Sequence, residues 1–101
     1  MSRVSGKPYF VYVLWSARGR RFYIGISEDA PRRLHQHNHA PTGWTARFRP
    51  WALVHTERFD DYRAARTREI ELKSQKAGWG FFRQTGLDPS LFVHRPTNSG
   101  S

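Results

Sequence analysis

Residues 9–26 read YFVYVLWSARGRRFYIGI, two short apolar runs on either side of a turn rich in Arg and Gly. The first run, Tyr9 to Trp15, consists of β-branched, aromatic and aliphatic residues and predicts a strand. Ser16 to Arg20 predicts the turn, and Arg21 to Ile26 predicts the return strand. The chain is therefore expected to begin with a β-hairpin.

The register of this hairpin depends on where its turn is centred. A centre between residues 17 and 18 would place Tyr12 directly opposite Tyr23, with both phenols on one face of the sheet. Gly25 would then lie opposite Phe10. Because glycine has no side chain, room would remain above the sheet there for a ligand or another backbone.

A helix is expected after the hairpin. Asp29 or Ala30 caps it, and Pro31 suits its first turn because the missing N–H has no helical partner there. At 3.6 residues per turn, one face of this helix carries a guanidinium and an imidazole together with two small or aliphatic residues. The four residues on this face are Ala30, Arg33, Leu34 and His37.

Three further elements follow. Trp51 to Glu57 predicts a third strand, expected at the centre of the sheet because it is short and apolar. A second helix is expected from Asp60-Asp61 to about Ala77. Trp79 to Gln84 fits either a short third helix or an irregular aromatic plug, and periodicity does not decide between them.

Glu69 is an anomaly on the second helix, because its position falls inside the stripe expected to face the core. A buried carboxylate must be paired, neutralised or bound to a cation. Lys73, four residues on, is one candidate for a salt bridge, and Arg66 and Arg68 are two others. A structural salt bridge and a metal ligand both remain open.

The charge of the chain indicates an anionic partner. Its 101 residues carry 17 Lys and Arg against 8 Asp and Glu, a net charge of +9, and 14 of the 17 bases are Arg. The planar fork of Arg suits phosphate, so charge and length together favour nucleic-acid binding. The alternative is that the charge serves solubility alone.

Length and composition set further limits. A chain this short predicts one domain, expected over residues 8–95 between a disordered start (1–7) and a flexible tail (96–101). The absence of Cys excludes disulfides and thiolate zinc sites. No apolar run approaches the ~20 residues of a membrane span, and the start lacks the apolar region of a secretion signal. We therefore expect a soluble, cytoplasmic protein, monomeric and not bound to a membrane.

The run from Tyr9 to Asn38 resembles the GIY-YIG nuclease superfamily, and especially its small stand-alone members. Phe10-Val11-Tyr12 takes the place of the first tripeptide, and Tyr23-Ile24-Gly25 is the second one verbatim. Arg33 lies eight residues after that glycine, where the arginine of the family stands. The segment from Arg68 to Lys73 is similar to the helix that carries the metal-binding glutamate of the family.

This resemblance implies an α+β fold, a small three-stranded antiparallel sheet flanked by helices in the order β-β-α-β-α-α. It also implies a metal-dependent endonuclease that hydrolyses DNA phosphodiester bonds. Glu69 would hold one Mg²⁺, with Mn²⁺ as a substitute, and Tyr12 would accept a proton from the attacking water. Tyr23 would orient the water or a phosphate oxygen. Arg33 would bind the charge that develops on the phosphoryl oxygens, and His37 could take the proton from Tyr12.

The DNA substrate could be nicked, branched or single-stranded. The residues expected to contact it are Gly25, Arg18, Arg20, Arg21, Arg47, Arg49 and Lys73.

The sequence departs from the family pattern in two places. The first tripeptide keeps only its tyrosine, and Gly78-Trp79-Gly80 occupies the region where many members place an asparagine; Asn98 is the only later one. A second hypothesis is therefore a non-catalytic DNA- or RNA-binding module of the same fold. A basic protein-interaction domain is a third.

Overall fold

The computed structural model describes residues 7–92, and their order of elements agrees with the expected β-β-α-β-α-α pattern. Two short 3₁₀ turns, Thr45–Phe48 and Pro89–Leu91, accompany the main elements. The strands are β1 (Tyr9–Ser16), β2 (Arg21–Ser27) and β3 (Trp51–Phe59), and the helices are α1 (Ala30–His39), α2 (Tyr62–Ser74) and α3 (Trp79–Thr85). The fold is α+β, as the sequence resemblance implied.

The sheet is antiparallel and has the strand order β2-β1-β3, so β1 is the central strand. The expectation that the third strand is central is wrong. Four consecutive residues of β1, from Val11 to Leu14, are fully buried, which requires cover on both faces of the sheet. Most of β3 is exposed or half-buried, as suits a strand at the edge.

The hairpin register differs from the expected one by two residues. Tyr12 pairs with Gly25, and Tyr23 pairs with Leu14, so the two tyrosines are not directly opposite. Phe10 pairs with Ser27 and not with Gly25. Because side chains alternate with a period of two, a shift of two leaves every residue on its expected face. Tyr12 and Tyr23 are therefore diagonal neighbours on one face.

The turn explains this shift. It contains the four residues 17–20, and Ser16 and Arg21 form the last pair of the hairpin. Ser16 Oγ accepts a hydrogen bond from the backbone N–H of Gly19 (2.8 Å), and Arg20 adopts a left-handed conformation with φ of 55°. The turn is therefore centred between residues 18 and 19, one residue further along the chain than expected.

The two faces of the sheet carry separate apolar clusters. On one face, Tyr12 and Leu14 of β1 pack with Ala30 of α1 and with Trp51. On the other face, residues of α2, α3 and the end of the described chain cover Val11 and Val13; they include Ala65, Leu72, Phe81, Phe82 and Phe92. The helix α1 therefore lies on the Tyr12 face, and α2 lies on the opposite one.

The starts of helices α1 and α2 agree with the sequence interpretation, whereas the end of α2 does not. Asp29 caps α1 by accepting from the N–H of Arg32 (3.1 Å), and Asp61 caps α2 by accepting from the N–H of Ala64 (2.8 Å). Helix α2 ends at Ser74 and not near residue 77. Lys76 and Ala77 take left-handed backbone angles, φ 52° and 60°, which a continuing helix does not allow.

Helix α3 settles the alternative that the sequence left open, because residues 79–85 are helical. Apart from Lys7, the expected loose start lies outside the described residues, as does the expected tail at 96–101. No helix within residues 7–92 has the length and apolar character needed to cross a membrane.

Candidate active site

The centre of the candidate site is the phenol of Tyr12. Its ring is fully buried, and its hydroxyl lies 3.1 Å from Nε2 of His37 on α1. The ring of Tyr23 stands edge-on to the His37 ring at a centroid distance of 4.6 Å and lies 6.1 Å from the Tyr12 ring. Three side chains that the sequence predicted to converge are therefore in contact.

Arg33 completes this cluster. The pKa of its guanidinium is raised, chiefly by its interaction with the nearby Tyr12 phenol and further by the charges of Tyr12 and Tyr23. Its Nη1 donates to Oε1 of Gln36 (3.0 Å), whereas its Nε is buried and has no acceptor among the described residues. An anionic oxygen brought to this guanidinium would complete its hydrogen bonding.

The protonation states of the cluster follow from burial. Desolvation raises the pKa of the Tyr12 phenol and outweighs the opposite effect of Arg33. Desolvation, and then the positive charge of Arg33, lower the pKa of His37. At neutral pH the phenol is therefore protonated and the imidazole is neutral. The hydroxyl of Tyr12 can then donate to an unprotonated Nε2 of His37.

The open space expected above Gly25 is absent. A Cβ atom at this position would lie 2.6 Å from the hydroxyl oxygen of Tyr12 and 2.7 Å from its Cζ. The space above Gly25 is thus occupied by the Tyr12 phenol and is not open to a ligand or another backbone. A residue without a side chain fits here because Tyr12, the partner of Gly25 on β1, places its aromatic ring over this position.

Glu69 is buried on α2, which covers the face of the sheet opposite the Tyr12 cluster. It has 6% of its surface exposed, and both of its oxygens are paired. Oε1 accepts from Nη1 of Arg66 at 2.7 Å, and Oε2 lies 3.1 Å from Nζ of Lys73. The two salt-bridge partners named from the sequence are therefore present. Arg68, the third candidate, instead binds Glu57 of β3 through two nitrogens at 2.7 and 3.1 Å.

Glu69 is also a candidate metal ligand. Between residues 7 and 92, no three His, Cys, Asp or Glu side chains form a group that could hold a metal ion. Mg²⁺, however, is often bound by one or two carboxylates together with waters and substrate phosphates. Glu69 has such an oxygen donor set, and its side-chain partners Arg66 and Lys73 are 52% and 53% exposed, so either can move into solvent. The carboxylate therefore fits a one-ligand site from which one basic side chain is displaced.

The five arginines predicted to contact DNA lie around the hairpin turn and the segment before β3, whereas Lys73 lies on α2. Arg18 and Arg20 are exposed in the turn. The guanidinium of Arg21 lies over the ring of Phe48 at 4.3 Å. The guanidinium of Arg47 lies 5.7 Å from the centroid of the same ring. The guanidinium of Arg49 donates a hydrogen bond to the carbonyl oxygen of Ala40 at 2.8 Å.

The sequence interpretation missed one residue beside the site. Trp44 precedes the first 3₁₀ turn and is 48% exposed, although its ring contacts Tyr23 (6.2 Å), Phe48 (5.2 Å) and Trp51 (5.9 Å). A large exposed aromatic residue next to a catalytic candidate is a signal of binding. The only hint in the sequence was a tryptophan after Gly43 in a connecting segment.

Together, the fold and the cluster match the arrangement that the sequence resemblance implied. The first two strands each present a tyrosine to an arginine and a histidine of the following helix. The chain belongs to the GIY-YIG family, because the model of the GIY-YIG catalytic domain matches residues 8–81.

Two further proteins are similar to about two thirds of this chain. A UPF0213 protein of Natronomonas pharaonis is 42% identical over 67 residues, which cover 65% of this chain and 78% of the relative. A UPF0213 protein of Haloquadratum walsbyi is 37% identical over 67 residues, covering 65% and 74%. The chain thus spans about three quarters of the length of each of these two relatives.

Proposed function

We propose that this protein is a divalent-cation-dependent endonuclease that hydrolyses phosphodiester bonds of DNA. The observation that carries the proposal is the hydrogen bond between Tyr12 and His37, formed beside Arg33 and Tyr23 in a domain of the GIY-YIG family. A basic chain with a net charge of +9 supplies the attraction for the phosphate backbone.

The proton of the attacking water would leave through a relay. Burial raises the pKa of Tyr12, so very little of the phenol is ionised at neutral pH and a mechanism that needs the phenolate first would be slow. A protonated phenol can instead accept the water proton on its oxygen while it passes its own proton to Nε2 of His37. The neutral state of His37 leaves that nitrogen free to accept.

Arg33 and Tyr23 would act on the phosphate. The guanidinium of Arg33 lies close to both phenols and keeps one buried donor without an acceptor among the described residues. A fixed positive donor is most useful where negative charge develops on the phosphoryl oxygens in the transition state. Tyr23, edge-on to His37, would orient the water or a phosphate oxygen.

Glu69 would hold the divalent cation, Mg²⁺ or Mn²⁺. When bound, such a cation would polarise the scissile phosphate and neutralise charge on the leaving oxygen. Binding would require Lys73 or Arg66 to leave the carboxylate, and Lys73 would then be available to a phosphate of the substrate.

Two pairs of matched variants test the proposal on nicked, branched and single-stranded DNA with Mg²⁺ or Mn²⁺. Tyr12→Phe should slow cleavage by about 10² to 10⁴, the usual cost of removing a general base. Tyr9→Phe, on the same strand but the opposite face, should cleave at the wild-type rate. Glu69→Gln should abolish cleavage, whereas Glu71→Gln on the same helix should not.

Equal cleavage by Tyr12→Phe and Tyr9→Phe would refute the catalytic role of the phenol. Cleavage by the Glu69→Gln variant would refute the assignment of the cation to this position. Glu69 would then serve only as the salt-bridge partner of Arg66 and Lys73.

A non-catalytic DNA- or RNA-binding module is the second candidate. The observation that favours it is that both oxygens of Glu69 are occupied by basic side chains. It predicts salt-sensitive binding without cleavage of any of the three DNA forms in either metal.

A further inference from the structure

A cavity of about 710 Å³ opens at the edge of β2, between the strand, the end of α2 and Trp44. We call it the β2-edge cavity. Its volume lies within the range of ~300 to 1,000 Å³ typical of ligand sites. Its wall combines aromatic rings with basic side chains, among them Phe22, Tyr23, Trp44, Arg21, Lys73 and Lys76.

The cavity joins the candidate active site through two residues. Tyr23 lines the cavity, and its ring also contacts His37 at 4.6 Å. Lys73 lines the cavity, and its Nζ also lies 3.1 Å from Glu69. An occupant of the cavity would therefore lie next to Tyr23 of the Tyr12 cluster and next to Lys73, the ion-pair partner of Glu69.

The chemistry of the wall matches an unpaired nucleotide. Sites for single-stranded nucleic acid combine aromatic side chains, on which bases stack, with positive charges that follow the backbone. Trp44 offers a half-exposed ring, over which the guanidinium of Arg21 lies at 5.8 Å from the centroid. A base within a duplex cannot enter, because its faces are covered by its stacked neighbours and its edge is paired.

We infer that the β2-edge cavity binds the base of an unpaired nucleotide and that Trp44 stacks on it. The substrate class would then be DNA with an unpaired nucleotide beside the scissile bond, such as a flap or a frayed nick. The position beside the scissile bond rests on the proposed function, whereas the binding of the base does not.

The test is a binding cycle between Trp44 and the base, with EDTA present so that no cleavage is needed. The probes are a labelled duplex with one unpaired nucleotide at a nick, and the same DNA with an abasic sugar in place of that nucleotide. Both probes carry the same phosphates. Loss of one stacked base is expected to weaken binding to the wild type by about 5- to 150-fold.

In Trp44→Ala, the two probes should bind with equal affinity, because the stacking partner is gone. Trp79→Ala is the matched control, since Trp79 is 75% exposed and does not line the cavity. It should keep the full abasic effect. Trp44→Phe retains a ring against Phe48 and Trp51 and should keep a reduced abasic effect, which serves as the test if the alanine variant does not fold.

The inference would be overturned by equal binding of both probes to the wild type, or by an abasic effect of the same size in the wild type and in Trp44→Ala. An abasic effect confined to the wild type, the Trp79 control and Trp44→Phe supports it. If that pattern is found but no probe is cleaved when Mg²⁺ replaces EDTA, the cavity stands and the proposed nuclease function fails. If the probes are cleaved but show no abasic effect, the nuclease function stands and the base-binding role of the cavity fails.

Discussion

The contact between Gly25 and Tyr12 gives a sharp prediction about the variant Gly25→Ala. Alanine is normally favoured over glycine inside a strand by about 0.5 to 1 kcal/mol, so an open site would gain stability. Here the new Cβ would lie 2.6 Å from the hydroxyl oxygen, 2.7 Å from Cζ and 3.0 Å from Cε2 of Tyr12. These distances require the phenol ring to move.

The expected cost follows from the same contacts. Overpacking a buried site costs about 1 to 3 kcal/mol. Displacing the Tyr12 hydroxyl from His37 removes one buried hydrogen bond, worth about 0.5 to 1.5 kcal/mol. After the strand preference of alanine is subtracted, the free energy of unfolding should fall by about 2 kcal/mol, with a range of about 0.5 to 4.

Urea denaturation measures this change, and Tyr12→Leu supplies the control background. Leucine does not reach the positions of Cζ and the hydroxyl, so Gly25→Ala should cost far less stability there. Cleavage should also fall by about 10²-fold if the phenol shifts by about 1 Å. A Gly25→Ala protein as stable and as active as the wild type would refute the reasoning, as would an equal loss of stability in both backgrounds.

Two other predictions concern titration and charge. Burial and Arg33 lower the pKa of His37 in the folded protein, so the unfolded chain binds a proton more readily at this residue. The contribution of His37 to the free energy of unfolding is therefore complete above about pH 6.5, the pKa in the unfolded chain. It declines as the pH falls toward the lower pKa of the folded protein. The stability difference between the wild type and His37→Gln in urea should therefore shrink from about pH 8 to about pH 5, and a constant difference would contradict the assignment. Arg18→Ala/Arg20→Ala should lower the slope of log affinity against log salt by about 0.9 for each duplex phosphate that the variant no longer neutralises, and an unchanged slope would remove the hairpin turn from the DNA surface.

The face of the sheet on which each hairpin residue lies could be predicted from the sequence, but the residue pairs across the two strands could not. Alternation with period two places Tyr12 and Tyr23 on one face for any register shifted by an even number. The pairs depend on the length of the turn, which Arg20 fixes by taking a left-handed conformation that non-glycine residues adopt infrequently. Nothing in the sequence letters distinguishes that conformation, so the role of Gly25 opposite Tyr12 was also missed.

The position of β3 was wrong for a related reason. The short apolar run of β3 indicates a central strand when the sequence is considered alone. The strand that is buried on both faces is β1, in which four consecutive residues are fully buried. The β2-edge cavity was beyond sequence reasoning altogether. Trp44 and Lys76 come from connecting segments 32 residues apart, and their proximity depends on where the end of α2 meets the edge of β2.

Glu69 shows why one sequence pattern supports two hypotheses. A carboxylate in the buried stripe of α2 must be neutralised, and a basic side chain and a divalent cation meet that requirement equally well. The ion pairs with Arg66 and Lys73 satisfy it in this structure, and they leave the partners half-exposed and able to exchange. Replacement of Lys73 by a cation would keep the carboxylate neutralised and release the ammonium into the β2-edge cavity, where a substrate phosphate would be its new partner. The ion pair and the proposed metal site would thus be two occupancies of one position, and the comparison of Glu69→Gln with Glu71→Gln tells which of them cleavage requires.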